Sequence, residues 1–188
     1  MFYSATSIER TNITIDYIKL TDGSLPELSF IKELYEEAFP VQERRDWSSL
    51  LGLLNHSDMQ VDLLVAEGSP IGFIILWKIQ DWRFIEHFAV STKVRGKGYG
   101  AEVVRYYLGI FEGRLLLEVE PAITRDACRR IDFYKRLGLS LINVVYRQPS
   151  YIENDLSYPM HLMGTQSLVP YDFQELIAEI KNKVYKKS

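Results

Sequence analysis

Four stretches in the first half of the chain have strand patterns: two alternate in side-chain character, and the other two are apolar and rich in β-branched residues. The pattern predicts strands over residues 12–20, 60–67, 71–79 and 84–90. Turn residues such as Gly68 separate the last three strands by only a few positions. Strands that are joined by such short turns pair in antiparallel fashion, so we expect a meander here.

Apolar residues recur at helical spacing between and after these strands. A helix is predicted from about Pro26 to Ala38, with Pro40 just beyond its end. The same spacing predicts further helices over about 47–54, 101–111, 126–136 and 173–184.

The order of these elements predicts the fold class. A strand over 114–120 follows the helix at 101–111, and a crossover of this kind makes the strands before and after the helix parallel. The stretches 139–147 and 159–163 are predicted as a closing antiparallel pair. We therefore predict one mixed α/β (α+β) domain over residues 1–188. It has a mostly antiparallel sheet of about seven strands, helices on both faces and a C-terminal helix.

Composition argues against several classes of protein. Hydrophobic residues make up 47% and charged residues 25% of the chain, as in ordinary globular proteins. A formal net charge of −3 argues against a nucleic-acid-binding surface. The first residues lack a signal-peptide pattern, and no apolar run approaches the ~18 residues that cross a bilayer. Cys128 is the one cysteine; we expect it to be buried on a helix of a cytoplasmic protein.

A glycine-rich segment lies between the fourth predicted strand and the helix that follows it. Arg95-Gly96-Lys97-Gly98-Tyr99-Gly100 has three glycines in five residues, which let a ligand approach the backbone and permit positive φ. Such a loop directs amide N–H groups and the positive end of the helix dipole outward. Lys93 adds a third cation. The alternative is a simple tight turn, but the flanking strand and helix favour a phosphate or pyrophosphate site.

We compare this segment with three known kinds of phosphate-binding loop. A P-loop requires Ser or Thr after its G-K pair, and Gly98 stands there instead. The dinucleotide fingerprint G-x-G-x-x-G/A fits Gly96, Gly98 and Ala101, with Glu118 or Glu120 about 20 residues on. An NAD(P)-dependent oxidoreductase therefore stays open, although too little chain follows Glu120 for further βαβ units. The third kind binds the pyrophosphate of an acyl-CoA.

Two segments match motifs of a known family. Arg95-x-x-Gly98-x-Gly100 resembles the R/Q-x-x-G-x-G/A motif of the GNAT superfamily of acyl-CoA-dependent N-acyltransferases. Further along, Phe133-Tyr134-Lys135-Arg136-Leu137-Gly138-Leu139 resembles that family's FY-x-x-x-G-F helix, with Leu139 where Phe is usual. The resemblance covers about residues 84–139 and does not specify the acceptor.

The resemblance implies acetyl-CoA as cosubstrate and no metal. Its pantetheine arm would pair with the strand before the loop, and the N–H of Phe88 would polarise the thioester carbonyl. Tyr134 matches the family tyrosine that donates a proton to the departing CoA thiolate. The implied acyl-CoA-binding residues are Phe88, Ala89, Val90, Arg95, Gly96, Lys97, Gly98, Tyr99, Gly100 and Ala101.

The same resemblance places the acceptor pocket beside the two helices that flank Pro40. Phe39, Glu43, Arg44 and Arg45 are therefore candidates for contact with the acceptor. The alternative is that this run of charges is simply solvated.

An amine acceptor needs a base, because alkylamines have pKa values near ~10 and are protonated at neutral pH. We predict Glu86, which shares strand parity with Phe88 and Val90 in a regular strand. Burial would have to raise its pKa, or it would act through water. His87 has a more suitable pKa, but alternation sends it to the opposite face of the sheet. Glu118 on the neighbouring strand is a third candidate.

These observations together predict an N-acetyltransferase. It would move an acetyl group from acetyl-CoA to a primary amine of a small molecule, or of a protein, by direct attack in a ternary complex. A non-catalytic acyl-CoA-binding module is the alternative, since it would use the same loop. We expect neither nucleic acid nor a membrane as a partner. Strand edges between residues 139 and 163 could pair two copies of the chain, so a homodimer is one alternative for the oligomeric state.

Overall fold

A computed structural model of the chain describes residues 13–21, 23, 27–153, 155–165 and 173–185. Within these residues, eight strands form one sheet. The strands are β1 (Asp16–Leu20), β2 (Met59–Ala66), β3 (Ser69–Ile79), β4 (Trp82–Val90), β5 (Leu115–Val119), β6 (Leu139–Leu141), β7 (Tyr146–Pro149) and β8 (Ser157–Thr165).

The helices form where apolar residues recur at helical spacing, as predicted. They are α1 (Leu28–Ala38), α2 (Trp47–Gly52), α3 (Tyr99–Ile110), α4 (Arg125–Arg136) and α5 (Phe173–Ile180), and α5 continues into a π-helical turn over Lys181–Tyr185. Asn12 and Pro26, where a strand and a helix were predicted to begin, lie outside the described residues. In the described ranges, none of the helices has the length and apolar character needed to cross a membrane.

The sheet follows the predicted connections for most of its width. The strand order is β1-β2-β3-β4-β5-β8-β6, with β7 also paired to β8. Strands β2, β3 and β4 form the predicted antiparallel meander, and β4 and β5, which α3 connects, are parallel as predicted. Strand β1 adds to the edge of β2 in antiparallel fashion.

The closing part of the sheet differs from the prediction. The predicted strand over 139–147 is split into β6 and β7, which pair with different ends of β8. The chain leaves the ladder between them, because the N–H of Val144 donates to the carbonyl of Ile142 instead of to β8. The sheet therefore has eight strands, where the prediction was about seven.

The two faces of the sheet have separate hydrophobic cores. On one face, which we call the α1/α5 face, helices α1, α2 and α5 pack against residues such as Trp77 and Phe84. On the other, the α3/α4 face, helices α3 and α4 pack against residues such as Ile74 and Ile85. The glycine-rich loop leads into α3 and therefore lies at the α3/α4 face.

Strand β4 contains a β-bulge. Ile75 of β3 is opposite His87, whereas the next residue, Leu76, is opposite Ile85. Glu86 is therefore the extra residue, with no partner of its own on β3. An extra residue shifts the two-residue alternation of side chains by one position.

The bulge places Glu86 and His87 on the same face of the sheet. The ring of His87 packs 4.9 Å from that of Tyr35 on α1, whereas Phe88 and Val90 pack on the α3/α4 face. The predictions that His87 lies opposite Glu86, and that Glu86 shares its parity with Phe88 and Val90, are therefore wrong. They assumed an uninterrupted strand, and alternation alone does not reveal an extra residue.

Cys128 lies on the outer side of α4. The buried side of this helix consists of Ala127, Ile131 and Tyr134, and Cys128 is exposed. The expectation that Cys128 is buried is wrong, because the helical period of α4 turns that position toward solvent.

Candidate active site

The glycine-rich segment forms an open loop before α3. Gly96 and Gly98 have φ values of 82° and 88°, in the left-handed region that favours glycine, and Gly98 caps the helix. Within the described part of the chain, no amide N–H from Gly96 to Gly100 donates a backbone hydrogen bond. These N–H groups lie at the positive end of a 12-residue helix. They are available to bind an anion such as a phosphate.

The loop is in direct contact with β4 and α4. A methyl group added at Gly100 would lie 3.7 Å from Phe133, 3.9 Å from Phe88 and 4.0 Å from Val90. The two segments that resemble family motifs therefore meet at this glycine. The predicted acyl-CoA-binding residues occupy the end of β4, the loop and the first turn of α3.

Strands β4 and β5 separate halfway along their length. Their parallel pairing ends at Ile85 and Leu117. Beyond these residues, within the part of the chain that the structure describes, β4 pairs only with β3 and β5 pairs only with β8. Glu86 and Glu118 are the first residues beyond the last pair, one on each strand. The resulting opening leaves one edge of β4 free to pair with an extended ligand.

Glu86 is held by three hydrogen-bond donors on the α1/α5 face. Arg45 Nε and the Tyr151 hydroxyl donate to Oε1 at 3.0 and 2.9 Å, and Trp77 Nε1 donates to Oε2 at 2.6 Å. Burial alone would raise the pKa of Glu86, but Arg45 and the hydrogen bonds outweigh burial and lower it. Glu86 is therefore ionised at neutral pH and is a weak proton acceptor.

His87 lies next to Glu86 in a closed environment. Its Nε2 is 3.0 Å from the carbonyl oxygen of Glu43; because a carbonyl only accepts, Nε2 carries the hydrogen and Nδ1 carries none. Nδ1 is 3.8 Å from Oε1 of Glu86 and finds no donor among the described residues. Burial lowers the pKa of His87 and outweighs the raising effect of Glu86. His87 is therefore neutral at pH 7.

Glu118 has a different environment on the other side of the opening. The Tyr146 hydroxyl donates to Oε1, and the Tyr185 hydroxyl lies 2.9 Å from both carboxylate oxygens. Burial raises the pKa of Glu118 to about 7; the two tyrosines and Lys181 lower it, and Glu86 raises it further. Neutral hydroxyl groups thus hold Glu118, whereas an arginine holds Glu86. The two carboxylates at the opening therefore have environments that separate their pKa values.

Tyr134 lies on α4, at the α3/α4 face. Its ring packs edge-on against that of Phe133, with 5.0 Å between the ring centres. Burial raises the pKa of Tyr134 to about 12, with Arg130 lowering it and Glu120 raising it. The hydroxyl is therefore protonated at neutral pH, which a proton donor requires. Its role toward a thiolate stays a prediction.

Arg45 connects the predicted acceptor side with Glu86. It comes from the segment between α1 and α2, and its guanidinium lies 5.1 Å from the ring centre of Tyr151 and 5.7 Å from that of Trp77. It also donates to the carbonyl of Val184 in the C-terminal turn. A cavity of about 1040 Å³ opens beside Arg45, between α2, the end of β3 and this turn.

The other predicted acceptor-side residues lie around His87 and α1. The ring of Phe39 is 4.4 Å from that of His87, and the carbonyl of Glu43 accepts the bond from His87. Arg44 Nε donates to the carbonyl of Phe39 at 3.1 Å. Contact of Phe39, Glu43 or Arg44 with an acceptor stays a prediction.

Sequence reasoning missed three tyrosines that hold the two carboxylates. Tyr146 is 28 residues from Glu118, Tyr185 is 67 residues from it, and Tyr151 is 65 residues from Glu86. Their spacing carries no signal, because the sheet order and the return of the C-terminal segment bring them to the site. Among the described residues, no group of three or more His, Cys, Asp or Glu side chains is arranged to hold a metal ion.

The buried ion pair between Arg45 and Glu86 makes a testable contribution to stability. The side chain of Glu86 has no exposed surface and that of Arg45 is 11% exposed. We expect Arg45→Met to lower the free energy of unfolding by about 3–5 kcal/mol, because it leaves a buried charge unpaired. The double variant Arg45→Met/Glu86→Gln should recover part of this loss. Denaturant unfolding measures both effects.

A matched control is Arg105→Met, which removes an arginine that is 60% exposed and paired with Glu102. We expect it to change the free energy of unfolding by less than about 1 kcal/mol. A loss for Arg45→Met as small as that of this control would contradict the buried-pair interpretation.

Comparison with known proteins identifies the family. The model of the acetyltransferase (GNAT) family matches residues 28–139, which is more than half of the chain. A search of curated proteins found no match. A solved structure assigned to the GNAT acetyltransferases, from Bacteroides thetaiotaomicron, is 29% identical, with a TM-score of 0.83 over 94% of this chain and 100% of that one.

Two other solved structures share the fold at lower identity. The ribosomal-protein-S18-alanine N-acetyltransferase from Escherichia coli is 20% identical, with a TM-score of 0.57 over 81% of this chain and 93% of its own. Arabidopsis thaliana Naa50, in complex with the bisubstrate analogue CoA-Ac-MVNAL, is 17% identical, with a TM-score of 0.55 over 80% of this chain and 96% of its own. The family match includes the glycine-rich loop, the strand opening and Tyr134, and the chain belongs to the GNAT family of acetyltransferases.

Proposed function

We propose that this protein transfers an acetyl group from acetyl-CoA to a primary amine by direct attack in a ternary complex. The GNAT family uses acetyl-CoA as the acetyl donor. The observation that supports the proposal most strongly is the opening between β4 and β5. The glycine-rich loop lies at the α3/α4 face beside it, and the side chain of Glu118 lies at the α1/α5 face. An acyl group in this opening would lie between the loop on one face and the side chain of Glu118 on the other. Because the chain belongs to the GNAT family, the oxidoreductase alternative is not carried forward.

The donor would lie along the end of β4 and the loop. Its diphosphate would accept hydrogen bonds from the amides of Gly96 to Gly100, with Arg95 and Lys97 adding positive charge. The pantetheine arm would pair with the free edge of β4, as an added strand does. In this arrangement the N–H of Phe88 would polarise the thioester carbonyl.

Glu118 is better suited than Glu86 to remove a proton from the acceptor amine. A base works best when its pKa lies near the working pH, and the pKa of Glu118 is about 7, whereas that of Glu86 is lowered. Among the described residues, the hydrogen-bond donors to Glu118 are tyrosine hydroxyls, and no cationic donor holds it ionised. We therefore assign the base to Glu118 and a positioning and electrostatic role to Glu86.

The reaction then proceeds in balanced steps. Glu118 takes one proton from the ammonium group, and the neutral nitrogen attacks the thioester carbonyl carbon. This attack forms the C–N bond and the tetrahedral intermediate, and the C–S bond breaks as the intermediate collapses. Tyr134 donates its proton to the departing thiolate, and the proton that the nitrogen loses next reprotonates Tyr134 through solvent. The products are the amide and free CoA, and Glu118 releases the proton that it took to solvent.

Loss of Gly98 should weaken donor binding. Alanine at a φ of 88° costs about 1–2 kcal/mol, and its methyl group would lie 3.2 Å from Ile13, so the loop must shift. We expect Gly98→Ala to raise the Kd for CoA about tenfold or more in calorimetry. The control is Gly109→Ala, on the same helix, where an added methyl group meets nothing within 4 Å. Equal Kd values for both variants would contradict the loop assignment.

The pH dependence of activity tests the assignment of Glu118. Below a pH of about 7 Glu118 is protonated and cannot accept a proton, so kcat/KM should rise as the pH rises through this value. We expect Glu118→Gln to lower kcat on the order of 10²–10⁴-fold and to remove this rise. The control Glu36→Gln, at an exposed position of α1, should change neither. A Glu118→Gln enzyme with the wild-type pH profile would show that the base lies elsewhere.

Release of CoA with a pooled set of amines tests the function as a whole. We expect the wild type to release free thiol with at least one amine. Tyr134→Phe should lower kcat while leaving the Kd for acetyl-CoA nearly unchanged, because the hydroxyl acts only as the C–S bond breaks.

Two outcomes would oppose the proposal. Equal loss of kcat and of acetyl-CoA affinity in Tyr134→Phe would argue against an acid role for Tyr134. Binding of acetyl-CoA without thiol release for any amine would instead favour a non-catalytic acyl-CoA-binding module.

A further inference from the structure

The cavity of about 1040 Å³ at the α1/α5 face has a distinctive charge arrangement. From its walls we propose that it binds the acetyl acceptor, and that this acceptor is a cationic organic amine without a carboxylate group. This inference rests on the proposed function, which supplies the acetyl donor at the other face of the sheet.

The cavity wall is continuous with the reaction site. Trp77 and Tyr151 line the cavity and donate to Glu86, and Tyr185 lines the cavity and donates to Glu118. A ligand in the cavity is therefore separated from both carboxylates by one layer of side chains. An amine that displaces the Tyr185 hydroxyl would contact Glu118 directly.

The two cations of the cavity wall already have partners. The ammonium of Lys183 lies 2.9 Å from Asp58, 2.9 Å from Glu179 and 3.2 Å from the carbonyl of Lys78. Since an ammonium group has three N–H donors, these contacts use all of them.

Arg45, the second cation of the wall, also has a carboxylate partner. It is paired with Glu86, donates to the carbonyl of Val184 and lies against the rings of Trp77 and Tyr151. Among the described residues that line the cavity, every lysine and arginine is therefore already paired with a carboxylate of the protein.

Negative charge at the cavity is less completely compensated. Asp46 at its rim accepts from Ser48 and Ser49 and makes no ion pair within the described part of the chain. Glu86 and Glu118 lie directly behind the wall. Among the described residues that line the cavity, Asp46 is therefore the carboxylate without a cationic partner, which favours a cationic ligand and opposes an anionic one.

Aromatic rings supply the remaining recognition surface. Trp77 packs beside the ring of His56 at 5.3 Å, and Tyr151 beside that of Tyr185 at 5.0 Å. Ring faces of this kind bind hydrocarbon groups and attract cations. An acceptor that carried a carboxylate would lose the hydration of that group without gaining an ionic partner.

Pairs of amines that differ only by a carboxylate test this inference. The probes are 2-phenylethylamine against phenylalanine, and 1,4-diaminobutane against ornithine. Thiol release is measured with the wild-type protein and acetyl-CoA. For each pair in which either amine is acetylated, we expect kcat/KM to be at least about 100-fold higher for the amine without a carboxylate.

A matched pair of variants tests the role of charge at the rim. Asp46→Asn removes the charge and keeps a good helix cap, so it should lower kcat/KM for the carboxylate-free amines about three- to tenfold. Asp126→Asn, at an exposed position in the first turn of α4, should leave kcat/KM unchanged.

The outcomes separate this inference from the proposed function. Equal or faster acetylation of phenylalanine or ornithine overturns the inference and leaves the proposed function intact. Binding of acetyl-CoA in calorimetry with no thiol release from any of the four probes overturns the assigned acceptor class. Absence of acetyl-CoA binding overturns the proposed function itself.

Discussion

Backbone hydrogen bonds between β4 and β5 stop at Ile85 and Leu117, although both strands continue beyond these residues. An unpaired strand edge inside a sheet exposes amide and carbonyl groups that need other partners. The fold tolerates this edge because each strand stays paired on its outer side, β4 with β3 and β5 with β8. This interruption of the sheet lies between the glycine-rich loop of the α3/α4 face and the cavity of the α1/α5 face. The functional arrangement depends on this interruption.

The two carboxylates at the opening have the same side chain but differ in pKa, because their environments differ. Arg45 faces Glu86 and keeps it ionised, whereas neutral hydroxyls face Glu118 and leave its pKa about 7. Each carboxylate also affects the other, because the negative charge of Glu86 raises the pKa of Glu118. The ion pair between Arg45 and Glu86 thus contributes to stability and also to the proton affinity of its neighbour.

The sequence predicts local features well and long-range ones poorly. Hydrophobic periodicity was sufficient for the helices, the meander and the parallel crossover, because each follows from contacts between neighbouring residues. It failed at Glu86 and His87, where one extra residue in β4 reverses the expected faces. It also gave no indication of Tyr151 and Tyr185, which lie 65 and 67 residues from the carboxylates that they contact. Arg45 was a candidate only through the family resemblance. Nothing in the sequence indicated that it pairs with Glu86, which lies 41 residues away.

The central claim is that the opening between β4 and β5 holds the acyl group of acetyl-CoA. A crystal structure with an acetyl-CoA analogue whose thioester sulfur is replaced by a methylene group tests it most directly. We expect the diphosphate to accept hydrogen bonds from the amides of Gly96 to Gly100 and the acyl carbonyl to lie between the two strands. The side chain of Glu118 should lie on the cavity side of the acyl group. An analogue whose diphosphate lies away from this loop, or whose acyl group lies outside the opening, would contradict it.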